Sequence, residues 1–339
     1  MKDKIRLKLD GYFDRNFGDD YMQKTVVSYL SDFRFYADDP NISPLVTDEK
    51  NVARQKAPHD VSCLSVTGSG FMINSRHALR MEIQSFLSGK RKEDYCIGCN
   101  LEPIRYKLGR SLMWNRLRRF RYISCRDKKS YSVLKRHVKC EVRYFPDLLF
   151  ALPERLIPPK TNEELLGIVM MRRKEDSDDC DYYRVMAKAA DFWCEKSGKA
   201  VLLFAFDSGE ENDLYACLCV LNKMKYKEKA LIISHGIDNE ILNAYSRCSK
   251  IITARFHGAV VALKTRTDFY PILYREKMEN LLSDVEYPLK GSPIDSPNED
   301  DILRFLFRQN DYTLTDETER QAAESLSALH DAILKYESR

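Results

Sequence analysis

A chain of 339 residues, 44% hydrophobic and 31% charged, has the material for two domains of ordinary size, each with its own core. A net charge of +4 is too small to point to nucleic acid, and no stretch reaches the ~20 continuous apolar residues of a membrane-spanning helix. The polar start Met1-Lys2-Asp3-Lys4 leads straight into a predicted strand, so no signal peptide is expected and the cytosol is the expected compartment.

In chain order, apolar runs predict strands at 5–9, 33–36, 61–66, 95–98, 122–125 and 142–145. Helical spacing predicts helices over 19–30, 76–87, 104–119 and 129–137 between them. Strands that alternate with helices in this way argue for a parallel sheet covered on both faces. Pro153, Pro158 and Pro159 then interrupt the pattern and mark a linker over 151–163. A second series follows, with strands at 165–171, 200–206, 230–234, 250–254 and 269–273. Its helices are expected over 182–196, 212–223, 240–247, 258–265 and 276–282. Beyond Asp284 the chain turns polar and carries prolines, and it ends in a helix over about 317–336. The expected organisation is an N-terminal domain over 1–150, a C-terminal domain over 164–312 and a final segment, 313–339, that can pack back on the first domain. Two Rossmann-like α/β domains with parallel sheets facing a central cleft form the GT-B arrangement.

Ten cysteines form no framework. Cys96-Ile97-Gly98-Cys99 is the only CxxC, no second pair stands at zinc-ribbon spacing, and reduced thiols suit the cytosol. Between Pro103 and Cys125 lie Arg105, Lys107, Arg110, Arg116, Arg118, Arg119 and Arg121 with no acid among them. Leu108, Leu112, Met113, Trp114 and Leu117 alternate with them at helical spacing. Such a helix over 105–121 can lie against an anionic membrane or pack on a sheet with a solvated basic face.

Four strings stand where strands give way to helices. Asn16-Phe17-Gly18-Asp19-Asp20 follows the first strand; Gly18 permits a turn, and Asp19 either caps the helix or orients a hydroxyl. Thr67-Gly68-Ser69-Gly70 follows 61–66 and lets the backbone approach a ligand closely. Ser124-Cys125-Arg126-Asp127 ends a strand on a cation, with Asp127 placed to serve the next helix. Ile251-Ile252-Thr253-Ala254-Arg255-Phe256-His257-Gly258 repeats that design, and Lys277 stands after the last predicted strand of the second series. Arginine matches phosphate or carboxylate, and histidine moves a proton near neutral pH. The plain alternatives are an Arg255 salt bridge to a neighbouring subunit or domain and a His257 that caps a helix. His235 also follows a strand and is read first as a helix-entry residue.

In this order the strings resemble the polysaccharide pyruvyl transferase family, from Asn16 to about Leu282. The shared elements are the Asn-x-Gly-Asp turn, a Gly-Gly-Ser-like loop, Arg-Asp-x-x-Ser at 126–130, the Pro146-Asp147 pair, Arg-x-His-Gly at 255–258 and an aromatic-x-x-Lys at 274–277. Thr67 replaces the first glycine of the loop, and Phe256 stands where leucine is common. The resemblance implies transfer of pyruvate from phosphoenolpyruvate onto two hydroxyls of one sugar, giving a cyclic ketal and phosphate. It implies Arg255, Arg126 and Lys277 as the donor clamp, His257 as the acid and Asp19 as the group that orients or deprotonates the acceptor. Asn16, Gly68 and Ser69 are carried over as substrate-binding positions, and no metal or cofactor is expected. The implied acceptor is a surface-polysaccharide repeat unit on a lipid carrier, which adds an expected peripheral contact with the inner face of the cell membrane through 105–121. A glycosyltransferase on the same frame, with Glu210, Glu211 and Asp213 at a nucleotide sugar, is the rival reading.

Overall fold

The computed structural model describes residues 4–67, 94–101, 107–236, 240–309 and 312–337. Two compact units divide the chain. The first gathers residues up to Phe13, Asp19–Ala151 and the C-terminal residues from Glu317; the second gathers Asp14–Gly18 and Leu152–Asp316.

In the first unit the described strands are β1 (Arg6–Gly11), β2 (Arg34–Tyr36), β3 (Val52–Ala53), β4 (Ser62–Val66), β5 (Tyr95–Cys99), β6 (Tyr122–Cys125) and β7 (Glu141–Tyr144). They form a parallel sheet in the order β3-β2-β1-β4-β5-β6-β7. β5 and β6 are buried throughout, which is why their runs are apolar without alternation. The CxxC cysteines both lie within β5 as buried free thiols. β3 was not expected from its polar surroundings. Asn51 explains it: its side-chain amide donates to the Val27 and Leu30 carbonyls at 2.9 and 3.1 Å, and its own carbonyl accepts the Phe35 N–H at 2.8 Å.

The predicted helix 76–87 lies outside the described residues. The basic amphipathic helix is seen as Lys107–Leu117. Met113 and Leu117 are buried in a cluster with Cys96, Cys99, Ile123 and Leu134, and Trp114 stacks on His137 at 4.4 Å. These apolar residues are therefore spent inside the unit, and Arg121 is paired with Asp94 and Glu337. The C-terminal helix, Asp316–Glu337, buries Leu326, Leu329 and Ile333. Its last residue accepts hydrogen bonds from Ser62 Oγ (2.6 Å), Tyr95 OH (2.8 Å) and Arg121 Nη1 (3.1 Å), at the amino ends of β4, β5 and β6. Among the described residues no helix is long and apolar enough to cross a membrane.

The second unit carries β8 (Leu165–Met170), β9 (Val201–Ala205), β10 (Ala230–Ser234), β11 (Cys248–Thr253), β12 (Asp268–Leu273) and β13 (Ser292–Pro293). They form a parallel sheet in the order β10-β9-β8-β11-β12-β13. Leu166, Ile168, Leu203, Ile252 and Ile272 pack with Tyr182, Tyr183, Met186 and Trp193 of helix Asp181–Ser197 to make its core. The stretch beyond Asp284 is more ordered than its composition predicts. It contains β13 and a helix, Glu299–Phe307, whose cap Asn298 accepts the Asp301 N–H at 3.2 Å and whose Ile302, Phe305 and Leu306 are buried. Successive strands leave β8 toward β9 on one side and toward β11 on the other. The carboxyl ends of β8 and β11 are therefore the place where an open parallel sheet accepts a ligand.

Candidate active site

The site is built on the carboxyl edge of the second sheet. β11 ends at Thr253, whose hydroxyl accepts the Arg255 N–H at 3.2 Å and donates to the Arg255 carbonyl at 2.9 Å. Helix Phe256–Lys264 starts at once, so His257 lies in its first turn rather than ahead of it as the spacing predicted. Gly258 is required there, because a Cβ would stand 2.2 Å from Thr253 Oγ1.

Arg255 turns its guanidinium back toward the loop after β9. Nε donates to Asp213 Oδ2 at 2.9 Å, Nη2 donates to Asp213 Oδ1, and Nη1 donates to Glu211 Oε2. The expected alternative of a bridge to a neighbouring subunit or domain is thus replaced by pairing within its own unit. Asp213 is fully buried, and it also accepts the backbone N–H groups of Arg172 (3.1 Å) and Asp207 (2.9 Å). Burial raises its carboxyl, and Arg255 opposes that rise. Of the three carboxylates that the rival reading places at a nucleotide sugar, Asp213 and Glu211 are here the counter-ions of Arg255, and Glu210 pairs with Lys174 Nζ at 3.4 Å.

Asp207, which the sequence reading missed, organises the other side. It is fully buried; Oδ1 accepts the N–H groups of Gly209 (2.9 Å) and Glu211 (3.2 Å), and Oδ2 accepts Asn16 Nδ2 at 3.1 Å. Burial pushes its carboxyl up to about 6, against the Asn16 hydrogen bond and the Arg255 charge. A signal was present: an aspartate directly after an apolar run and before Ser208-Gly209 is a turn-forming residue whose oxygens catch the next amides.

Residues 14–18 are zipped onto this loop. The Phe17 N–H donates to the Phe206 carbonyl at 2.9 Å, the Ser208 N–H to the Arg15 carbonyl at 3.2 Å, and the Glu210 N–H to Asp14 Oδ2 at 2.7 Å. Asn16 Oδ1 accepts the Gly18 N–H at 3.1 Å, so of the two roles open to Asp19 the cap falls to Asn16 instead, and Asp19 stands inside the first turn. The Phe17 ring meets Phe206 at 4.6 Å and stands edge-on to His235 at 5.6 Å. Gly18 lies against the His257 ring: a Cβ there would stand 1.6 Å from Nδ1. Arg15 and Asn212 both adopt left-handed φ values, 53° and 51°, in the two loops that meet here.

Lys277, in helix Glu276–Asp284 after β12, places Nζ 5.9 Å from the centre of the Phe256 ring. Together with Arg275 it acts on Glu211. Burial alone would raise the Glu211 carboxyl, but Arg255, Lys277 and Arg275 hold it below the usual range.

Four of the predicted positions, Asn16, Arg255, His257 and Lys277, thus belong to one unit and one sheet edge. Asp19 and Arg126 group with the first unit. Asp19 is buried in the first turn of helix Phe17–Tyr29. Arg126 is also buried, donating to Asp147 Oδ2 at 2.8 Å and to Asn100 Oδ1 at 3.2 Å. Asp127 caps helix Lys128–His137 through the Ser130 N–H (2.7 Å) and Ser130 Oγ (2.6 Å). The Arg-Asp-x-x-Ser string and the distant Pro-Asp pair are therefore one connected structure. Gly68 and Ser69 lie outside the described residues. Among the described residues no group of three or more His, Cys, Asp or Glu stands placed to hold a metal ion.

Residues 16–276 match the family model described as polysaccharide pyruvyl transferase, more than half of the chain. No curated protein sequence matches it. Among solved structures it is similar to the UDP-GlcNAc 2-epimerase of Neisseria meningitidis bound to UDP-GlcNAc (TM-score 0.65, 8% identity, covering 97% of this chain and 99% of that one). It is similar also to the UDP-N-acetylglucosamine 2-epimerase of Rickettsia bellii (TM-score 0.65, 8% identity, 98% and 97% covered). A third is the UDP-GlcNAc 2-epimerase of Methanocaldococcus jannaschii (TM-score 0.59, 12% identity, 97% and 100% covered). The likeness is one of fold: two parallel-sheet α/β domains of the GT-B type.

Proposed function

The chain belongs to the polysaccharide pyruvyl transferase family, and on that premise we propose that it transfers pyruvate from phosphoenolpyruvate to two hydroxyls of one sugar in a surface-polysaccharide repeat unit. The observation that carries the proposal is the juxtaposition of Arg255, His257 and Lys277 at the carboxyl edge of the second sheet, with Arg255 aimed by a buried aspartate.

The donor carries a phosphate and a carboxylate, and Arg255 with Lys277 supplies cations for them. Arg126 is the proposed further cation: like Arg255 it ends a strand and is oriented by a buried aspartate, Asp147. His257 delivers a proton to the methylene carbon of the donor, and the electron pair of the C=C bond forms the new C–H bond. The adjacent carbon becomes electron-poor, and the first sugar hydroxyl attacks it and loses its proton. The carbon–oxygen bond to phosphate then breaks with its electron pair on phosphate, and the second hydroxyl closes the ketal. Of the two hydroxyl protons, one replaces the proton spent on carbon and the other leaves on phosphate, so the sum balances. Asp19, the residue after Gly18, is proposed to orient or deprotonate the acceptor. The acceptor is proposed to be lipid-linked, at the inner face of the cell membrane.

Phosphate release from phosphoenolpyruvate, with and without an oligosaccharide acceptor, tests the reading in wild type, Arg255→Ala and His257→Ala. Acceptor-dependent release that both substitutions abolish is the expected result. No release across a broad acceptor panel, with measurable nucleotide-sugar binding, would move the assignment to a glycosyltransferase.

A further inference from the structure

Arg255 has two carboxylates where one would neutralise it, and the two differ in kind. Asp213 is a fixed partner: its side chain is 0% exposed, it grips Nε and Nη2 together, and two backbone N–H groups hold it in place. Glu211 is 45% exposed and touches only Nη1. Its backbone N–H is tied to Asp207, so its carboxylate can leave by side-chain rotation alone while the loop stays put. Asp213 occupies the Nε edge of the guanidinium. The edge left for a second bidentate anion is the Nη1–Nη2 edge, and Glu211 now holds its Nη1.

We propose that Glu211 is a resident competitor for the anion site: it occupies the position on Arg255 that an incoming phosphate or carboxylate must take, and it swings away when that anion binds. The inference rests on reading Arg255 as the anion-binding arginine. Its physical sense is that the enclosed guanidinium never loses its second partner, whether the site is filled or empty. Lys277 and Arg275, whose charges reach Glu211, give the displaced carboxylate a cationic surrounding. The exchange also weakens the hold on a phosphate product by the same amount that it weakens phosphate entry.

Calorimetric titration of the full chain with inorganic phosphate and with formate, at constant pH and ionic strength, tests this. Glu211→Gln should bind phosphate about tenfold more tightly than wild type, because the anion no longer has to break a charged hydrogen bond between Glu211 and Arg255 on entry. Formate should gain as well, since any anion that takes this position must displace the same carboxylate, and Glu211→Ala should repeat the pattern. In an Arg255→Lys or Arg255→Ala background the gain should vanish. Phosphate binding in Glu211→Gln that is no tighter than wild type overturns the proposal, because a carboxylate that merely positions Arg255 would weaken binding when removed. So does a gain that persists without Arg255. Arg255-dependent phosphate binding in a protein that never turns over phosphoenolpyruvate would defeat the functional reading and leave this one standing.

Discussion

Gly18 and His257 are in such close contact that the histidine ring occupies the space a side chain at position 18 would need; a Cβ would lie 1.6 Å from Nδ1, 2.2 Å from Cγ and 2.4 Å from Cε1. Residues far apart in the chain, from two separate strings, thus share one requirement: the glycine is small so that the imidazole can stand where it does.

Gly18→Ala should therefore displace the imidazole by more than an ångström. A fall of about 100-fold or more in kcat/KM for acceptor-dependent phosphate release is expected, since misplacement on that scale costs a positioned group most of its effect. Overpacking should lower stability by only ~1–3 kcal/mol, so thermal melting should show a folded protein. Full activity in this variant would mean that the ring position is irrelevant to the chemistry.

Asp207 makes the pH dependence of stability testable. Its carboxyl is raised to about 6 in the folded protein, so the folded state holds that proton more tightly than the unfolded state does. Below the ordinary carboxylate range both states are protonated and there is no penalty; the stabilising effect of proton binding is lost as pH rises toward about 6. Relative to Asp207→Asn, wild type should lose melting temperature between roughly pH 4 and pH 6, with a constant difference above that. Altered hydrogen bonds in the variant add only a pH-independent offset. A difference that is flat over this interval would contradict the raised carboxyl.

The Arg126–Asp147 pair is enclosed on both sides, with side chains 2% and 1% exposed. Asp147→Ala leaves a buried guanidinium without its counter-ion and should cost about 3–5 kcal/mol in urea denaturation. Arg126→Met with Asp147→Leu should recover most of that loss, because both charges go together. Equal costs for the single and the double variant would show that the pair is not what the aspartate contributes.

Glu337 collects three donors from the amino ends of three strands. Glu337→Ala leaves Tyr95 OH and a part-buried Arg121 short of an acceptor and should destabilise the first unit by about 2–3 kcal/mol. Hydrogen exchange in the last turn of Asp316–Glu337 should accelerate. Unchanged exchange and unchanged stability would show that the helix end is held by Leu329 and Ile333 alone.

Much of the architecture was legible because buried parallel strands write themselves as short apolar runs and their helices as amphipathic ones; β8 to β12 and the helices after them fall within a few residues of expectation. Among the elements that escaped, β3, β13 and helix Glu299–Phe307 are short and lie in polar surroundings. Their order comes from pairing to a neighbouring strand, from the Asn51 amide or from the Asn298 cap rather than from a periodic pattern. The strings at 16–20, 126–130 and 255–258 were legible as strand-end positions, since glycine, aspartate and arginine at those places each answer a local backbone or charge requirement.

Sequence alone determined the alternation, the two-unit plan and the presence of Arg255, His257 and Lys277 at strand ends, because these follow from local periodicity and residue chemistry. Tertiary structure alone decided that residues 14–18 join the second unit, that Asn16 ties to Asp207, and that Asp213 and Glu211 are the partners of Arg255. It also decided that Asp147 answers Arg126. A charge in a sequence has no direction. Which counter-ion it meets, and how much water remains around it, is set only when distant strand ends are brought side by side.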